Sequence, residues 1–137
     1  MEITQTRLLV SDFPAVYRFY RDVLGLTPQF EAETGPYAKF SPDTGNAAVA
    51  LQDRAQMAGV LEQLRAQPQG HRALVVLRVD DLEATHAELT ARGAEFTRDP
   101  APMGERMRVA YLADPEGNLI EFQEWLVPRG QTGDARA

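Results

Sequence analysis

The feature that most constrains this chain is a repetition. Val10-Ser11-Asp12-Phe13 stands 69 positions before Val79-Asp80-Asp81-Leu82, and both end an apolar strand pattern with short polar residues suited to capping a helix. In the first copy, Ile3 to Val10 alternates, with Thr6, Leu8 and Val10 on one face and Gln5, Arg7 and Leu9 on the other. Ser11 or Asp12 can cap the helix that follows, and Pro14 suits its first turn. Val16, Phe19, Tyr20, Val23 and Leu24 recur at helical spacing as its buried stripe, and Gly25 ends it. Strands are expected at about Thr27–Glu33, Tyr37–Ser41 and Asn46–Gln52, separated by Thr34-Gly35-Pro36 and by Pro42-Asp43-Thr44-Gly45.

A connector then leads to the second copy. Asp53 with Gln56 reads as a capping box for a short helix with Met57, Val60, Leu61 and Leu64 on its buried side. Gln67-Pro68-Gln69-Gly70 breaks that helix. Ala73–Val79 is a near-continuous apolar strand, and Asp80 with Glu83 forms a second capping box. The next helix runs to about Arg92, with Leu82, His86 and Leu89 on its stripe, and Gly93 stops it. Strands at about Glu95–Thr97, Arg106–Leu112 and Asn118–Trp125 follow, with Asp99 to Gly104 as a loop. Each half is thus strand, helix, strand, strand, strand. The chain divides into a first module (1–53), a linker helix and connector (54–70), a second module (71–127) and a tail without apolar periodicity (128–137). The expected fold is α+β, two βαβββ modules in a cupped, mostly antiparallel sheet with helices on the convex side.

Composition narrows the function classes. At 137 residues, 44% apolar and 25% charged, the chain fits a soluble globular protein. No apolar run is long enough to cross a bilayer, and the first residues lack the build of a signal peptide. The absence of cysteine removes disulfides and thiolate metal sites and fits a cytoplasmic location. A net charge of −6 argues against nucleic acid and favours neutral or cationic small ligands. Thirteen of the fourteen basic residues are Arg, a bias better ascribed to base composition than to phosphate binding.

One carboxylate asks for an explanation. Val109 to Leu112 reads as a strand that stops at Asp114-Pro115, and Gly117-Asn118 supplies two residues tolerant of φ > 0 for a tight hairpin. In the returning strand, Glu121 faces away from its apolar neighbours Ile120 and Phe122 and shares a face with Leu119, Gln123 and Trp125. A bland reading pairs it with Arg7 or water, and a functional one puts it in contact with a ligand. Arg7, Arg72 and Arg78 share strand parity with Gln5 and Leu74, so guanidinium groups are expected on the same side. His71 points to the opposite face, and His86 reads as a hydrogen-bonded core residue. The sequence does not place Tyr37, Phe40 and Tyr111 in a pocket rather than in the core.

Gln5-Thr6-Arg7-Leu8-Leu9-Val10-Ser11-Asp12, Phe19-Tyr20-Arg21-Asp22-Val23-Leu24-Gly25-Leu26 and Asp114-Pro115-Glu116-Gly117-Asn118-Leu119-Ile120-Glu121 together resemble the vicinal oxygen chelate superfamily. That group includes glyoxalase I, extradiol dioxygenases, fosfomycin-resistance proteins, methylmalonyl-CoA epimerase and bleomycin-resistance proteins. The resemblance spans about residues 2 to 126 and implies a ligand cavity within the sheet and pairing into a homodimer. In metal-dependent members, up to four ligands come from the first and fourth strands of each module. Those positions here are Gln5, Ala50, Leu74 and Glu121. Glutamine and glutamate match the pattern, but alanine and leucine have no donor atom, and the dioxygenase pattern requires histidine where Leu74 stands.

Two donors leave a divalent ion weakly held, because such sites use three or more protein ligands. The expectation is a small-molecule-binding protein without an intact metal site or cofactor, with Arg7, Arg72, Gln123 and Trp125 touching the ligand. Its acidic surface would suit a cationic ligand, as in the bleomycin-resistance branch. The alternative is a metal-dependent lyase, isomerase or dioxygenase using Gln5 and Glu121, with Glu121 as ligand or base. A third reading has Glu121 acting as a metal-free acid or base. No membrane or nucleic-acid partner is expected.

Overall fold

The structure, a computed structural model, describes residues 5–40, 48–67 and 73–126. Strand β1 (Thr6–Val10) leads into helix α1 (Phe13–Arg18), which continues as a wider π-helical turn over Phe19–Val23. Strands β2 (Tyr37–Phe40) and β3 (Val49–Asp53) follow. Helix α2 (Arg54–Ala58) and a 3-10 turn at Glu62–Arg65 come next. The second half holds β4 (Leu74–Arg78), α3 (Leu82–Ala91), β5 (Phe96–Met103), β6 (Met107–Ala113) and β7 (Leu119–Trp125). The chain forms two units, the first reaching to Ala73 and including the turn Asp114–Gly117, the second comprising the remainder.

In the first unit the sheet order is β1-β3-β2, with β1 parallel and β2 antiparallel to β3. One face is apolar. Leu8, Val10, Ala38, Phe40 and Leu51 are buried there with Phe13, Val16, Tyr17 and Tyr20 of the helical segment. Their rings interlock, with Tyr17 5.5 Å and Tyr20 6.0 Å from Phe40 between centroids, tilted as aromatic quadrupoles prefer. The stripe therefore runs through Phe13 and Tyr17, while Phe19, Val23 and Leu24 are only half-buried, because the π turn rotates the later residues out of register. The expected strand over Thr27–Glu33 is reduced to a single bridge between Pro28 and Phe40. Proline cannot donate to a ladder, and the Gly35 N–H turns back to the Ala32 carbonyl (2.9 Å).

In the second unit the order is β4-β7-β6-β5, with β4 parallel to β7 and the other pairs antiparallel. Leu82 and Leu89 of α3 are buried with Ala110, Leu112, Ile120 and Phe122. Strand β5 runs through Asp99-Pro100-Ala101-Pro102-Met103, a stretch whose prolines suggest a loop. It is an edge strand with two register irregularities, where a missing N–H costs little.

The repeat survives at atomic detail. Asp12 accepts from the Ala15 N–H (3.2 Å) and Asp81 from the Ala84 N–H (3.0 Å), and the two caps lie 69 positions apart. The cap of α3 is thus Asp81, not Asp80, and Glu83 pairs with Arg108 (2.7 Å) rather than closing a capping box. Asp53 caps α2 as expected, but the connector's Val60 and Leu61 are 76% and 46% exposed, so its apolar residues do not form a buried side. The β6–β7 turn also differs from expectation. Only Gly117 has positive φ (83°), and Asn118 does not. The turn is centred on Pro115-Glu116, closed by Gly117 N–H to the Asp114 carbonyl (3.0 Å) and by Glu116 N–H to Asp114 Oδ1 (2.8 Å). Ser41, the Pro42–Gly45 turn, Asn46, Ala47, Pro68–Gly70, His71, Arg72 and the tail lie outside the described residues.

Candidate functional site

Each unit carries its candidate residues on the sheet face opposite its helix. In the first, the register aligns Arg7 with Ala50 on one side and Lys39 with Ala50 on the other. Partners in a ladder share a face, so Gln5, Arg7, Leu9, Tyr37, Lys39, Ala50 and Gln52 lie together. A network joins several of them. Arg7 donates through Nε to Gln5 Oε1 (3.1 Å) and through Nη1 to Gln52 Oε1 (3.2 Å). The Tyr37 hydroxyl donates to the same Gln5 oxygen (3.0 Å), and the Arg7 guanidinium lies over the Tyr37 ring, 5.1 Å from its centroid. Gln52 also donates to Gln56.

In the second unit the equivalent register aligns Val76 with Glu121 and Arg78 with Gln123, just as Arg7 aligns with Ala50. Leu74 lies one pleat from Val76 at the sheet edge, and both are nearly half exposed. Glu121 is only 2% exposed. Its Oε1 accepts from the Tyr111 hydroxyl (2.7 Å) and its Oε2 from Gln123 Nε2 (2.5 Å). Gln123 in turn accepts from the Trp125 indole N–H (3.3 Å), and the Arg78 guanidinium sits 5.3 Å from the Trp125 ring centroid. The result is a directed chain, Trp125 to Gln123 to Glu121, with Tyr111 donating from the other side. The orientation of the Gln123 amide is fixed by its neighbours.

The expected residues thus fall into two groups. Gln5, Arg7 and Ala50 share the first face, and Leu74, Glu121, Gln123 and Trp125 share the second. Arg72 lies outside the described residues. Arg7 is bonded to the two glutamines, and the face of Trp125 is occupied by Arg78. Of the three undecided aromatics, Phe40 is core, while Tyr37 and Tyr111 stand on the polar faces with their hydroxyls on Gln5 and Glu121. Gln52 and Lys39 were not foreseen. The alternation Tyr37-Ala38-Lys39-Phe40 carries the signal for Lys39, which sits between buried Ala38 and Phe40, and Gln52 follows buried Leu51. His86 is half-buried, tilted against Phe96 at 4.5 Å between ring centroids and bonded to Asp99 (3.0 Å), on the helix side of the sheet.

One further contact explains the motif Asp114–Gly117. Asp114 is 4% exposed and accepts from the Tyr20 hydroxyl (2.9 Å), while Glu116 accepts from the Ser11 N–H. Burial, followed by the charge of Asp114 and the hydrogen bond to it, pushes the Tyr20 phenol well above its usual range. The two stretches Phe19–Leu26 and Asp114–Glu121 are therefore linked through a buried pair as well as through their sequence pattern.

Known proteins bear on this architecture. The family model described as Glyoxalase/Bleomycin resistance protein/Dioxygenase superfamily matches residues 2–122. YraH of Bacillus subtilis (strain 168), an uncharacterized protein, is 32% identical over 130 residues, covering 92% of this chain and 100% of YraH. A lactoylglutathione lyase of Haemophilus influenzae is 31% identical over 129 residues, covering 90% and 93% of the two chains. The crystal structure of a glyoxalase/bleomycin resistance protein/dioxygenase from Nocardioides superposes with a TM-score of 0.76 at 26% identity, covering 97% of this chain and 90% of that one. No helix among the described residues is long and apolar enough to cross a membrane. With its paired modules, its matched register and this near-complete family match, the chain belongs to the glyoxalase/bleomycin resistance protein/dioxygenase superfamily.

Proposed function

We propose that the protein binds a small molecule on these polar sheet faces and does so without a resident catalytic metal. One observation carries the reading: of Gln5, Ala50, Leu74 and Glu121, the residues that the family resemblance implies for the metal-ligand positions, the two that have donor atoms already accept hydrogen bonds. Gln5 Oε1 receives Arg7 and Tyr37, and the Glu121 oxygens receive Tyr111 and Gln123. Both lone pairs of Gln5 Oε1 are thereby engaged, and each Glu121 oxygen has at least one engaged, which leaves a cation fewer acceptors. Ala50 and Leu74 supply nothing in compensation, and among the described residues no three His, Cys, Asp or Glu side chains gather as a metal site. This donor set does not fit a divalent ion.

A second reading, a metal-dependent lyase, is favoured by the 31% identity to the Haemophilus influenzae lactoylglutathione lyase and by the glutamine–glutamate pair. Chelation separates the two. Under the metal-free reading, exhaustive treatment with a chelator leaves the melting temperature and ligand-induced thermal shifts unchanged, because nothing that stabilises the native state has been removed. Loss of several degrees, restored by one metal equivalent together with lactoylglutathione lyase activity, would establish the second reading instead. A cytoplasmic homodimer is the setting we propose for this activity.

A further inference from the structure

The recognition chemistry of the first face is opposite to that of the whole surface. The chain carries a net charge of −6, yet Gln5, Arg7, Leu9, Tyr37, Lys39, Ala50 and Gln52 include two cations and no carboxylate. Arg7 and Lys39 flank Ala50 from the two neighbouring strands, so their backbones lie two strand spacings apart, about 10 Å. Among the described residues neither has a carboxylate within ion-pair distance, whereas Arg18, Arg21, Arg92 and Arg108 all do.

The Arg7 guanidinium is held without being neutralised. Two glutamine oxygens and a tyrosine ring fix its orientation, and all three are uncharged. Ordering an arginine ordinarily sacrifices rotamer freedom in exchange for a bidentate carboxylate or phosphate contact. Here the ordering is already done, the side chain is exposed, and among the described residues the remaining N–H donors face no carboxylate. A preorganised, unpaired guanidinium is the part of a binding site that recognises an oxyanion.

Building on the proposed metal-free binding role, we infer that its ligand is anionic, with a carboxylate or phosphate group anchored by Arg7 and assisted by Lys39. Ala50 is fully buried between them, so the anion engages the cationic side chains rather than the floor of the sheet. The metal-ligand position of the first module is thereby converted into the base of an anion subsite.

The test is a titration of the chelator-treated protein, by calorimetry or two-dimensional NMR, with benzoate, phenyl phosphate, benzyl alcohol and benzylamine. Benzoate or phenyl phosphate is expected to bind at least about tenfold more tightly than the neutral and cationic probes, as a charge-assisted contact implies. The better of the two identifies the anion. Binding should weaken as salt rises, and Arg7→Met should abolish the anion preference while Arg7→Lys retains part of it. Lys39→Met should reduce the preference without removing it. Unchanged melting temperatures in these variants separate recognition from a merely structural brace. Equal affinity for all four probes, tighter binding of benzylamine, no anion binding at millimolar concentration, or an unaltered preference in Arg7→Met each overturn the inference. Binding of a neutral or cationic probe alone leaves the metal-free binding role standing. A tightly held metal overturns that role whatever the probes show.

Discussion

Glu121 shows how one residue can be placed correctly and its chemistry still be missed. Strand alternation puts it on the polar face, and the register confirms that placement. What alternation cannot reveal is the run of donors converging on it, because Tyr111 and Gln123 meet it only through cross-strand pairing and side-chain rotamers. The chain of bonds makes a sharp prediction. In Glu121→Gln the new amide must aim its NH2 at Gln123, which donates there already, or at Tyr111, whose hydroxyl must then give up its donated bond and turn to accept. Turning Gln123 over to accept would break its bond from Trp125. Urea unfolding should show a loss of about 1–3 kcal/mol, and the fluorescence of Trp125, the single tryptophan, should shift with it. Unchanged stability with unmoved emission would mean that the relay is not maintained.

Tyr20 gives a second test at the same scale. Its phenol is held above the usual range by burial and then by Asp114, so the native state keeps a proton that the unfolded chain releases above about pH 10. The contribution is complete below that pH and is lost as pH rises beyond it. Tyr20→Phe should lower stability by about 1–3 kcal/mol at neutral pH by removing one donor from buried Asp114. It should also flatten the alkaline decline, read from melting temperatures between pH 8 and about pH 11. A decline as steep as that of the unmodified protein would contradict this assignment.

Elements were legible where periodicity and caps agreed, and obscure where proline intervened. The strands Tyr37–Phe40, Leu74–Arg78 and Leu119–Trp125 lie within a residue of their expected limits over the described positions. Strand β5 is longer than its sequence suggests, because Pro100 and Pro102 read as a loop although an edge tolerates them. Thr27–Glu33 erred the other way, since Pro28 sits where a ladder donor would be needed. The cap of α3 is instructive. The capping-box pattern selects Asp80, whereas the offset carries Ser11-Asp12 onto Asp80-Asp81, and with Asp12 the cap of α1 its counterpart is Asp81. Asp81→Ala should therefore cost about 1 kcal/mol in denaturant unfolding, and Asp80→Ala close to nothing. Equal losses would place the helix start elsewhere.

At the scale of the molecule, duplication made the fold readable. The offset that joins Val10 to Val79 also joins Arg7 to Val76, and the ladders place these opposite Ala50 and Glu121 in turn. The same offset carries Gln5 to Leu74, while Ala50 and Glu121 stand 71 positions apart; that these four are metal-ligand positions is what the family resemblance implies. The offset could not show what had taken over the first module's share, because Lys39, Tyr37 and Gln52 reach that face through β2 and β3, which carry no motif. The proposed role rests on alanine and leucine standing at two of the four positions that the resemblance implies, and its consequence is chemical. The most direct measurement is elemental analysis of untagged protein purified from metal-supplemented cells and dialysed without chelator. Zn, Ni, Mn and Fe should be found far below stoichiometry, whereas about one equivalent of a single metal per chain, retained through dialysis, would contradict a metal-free site.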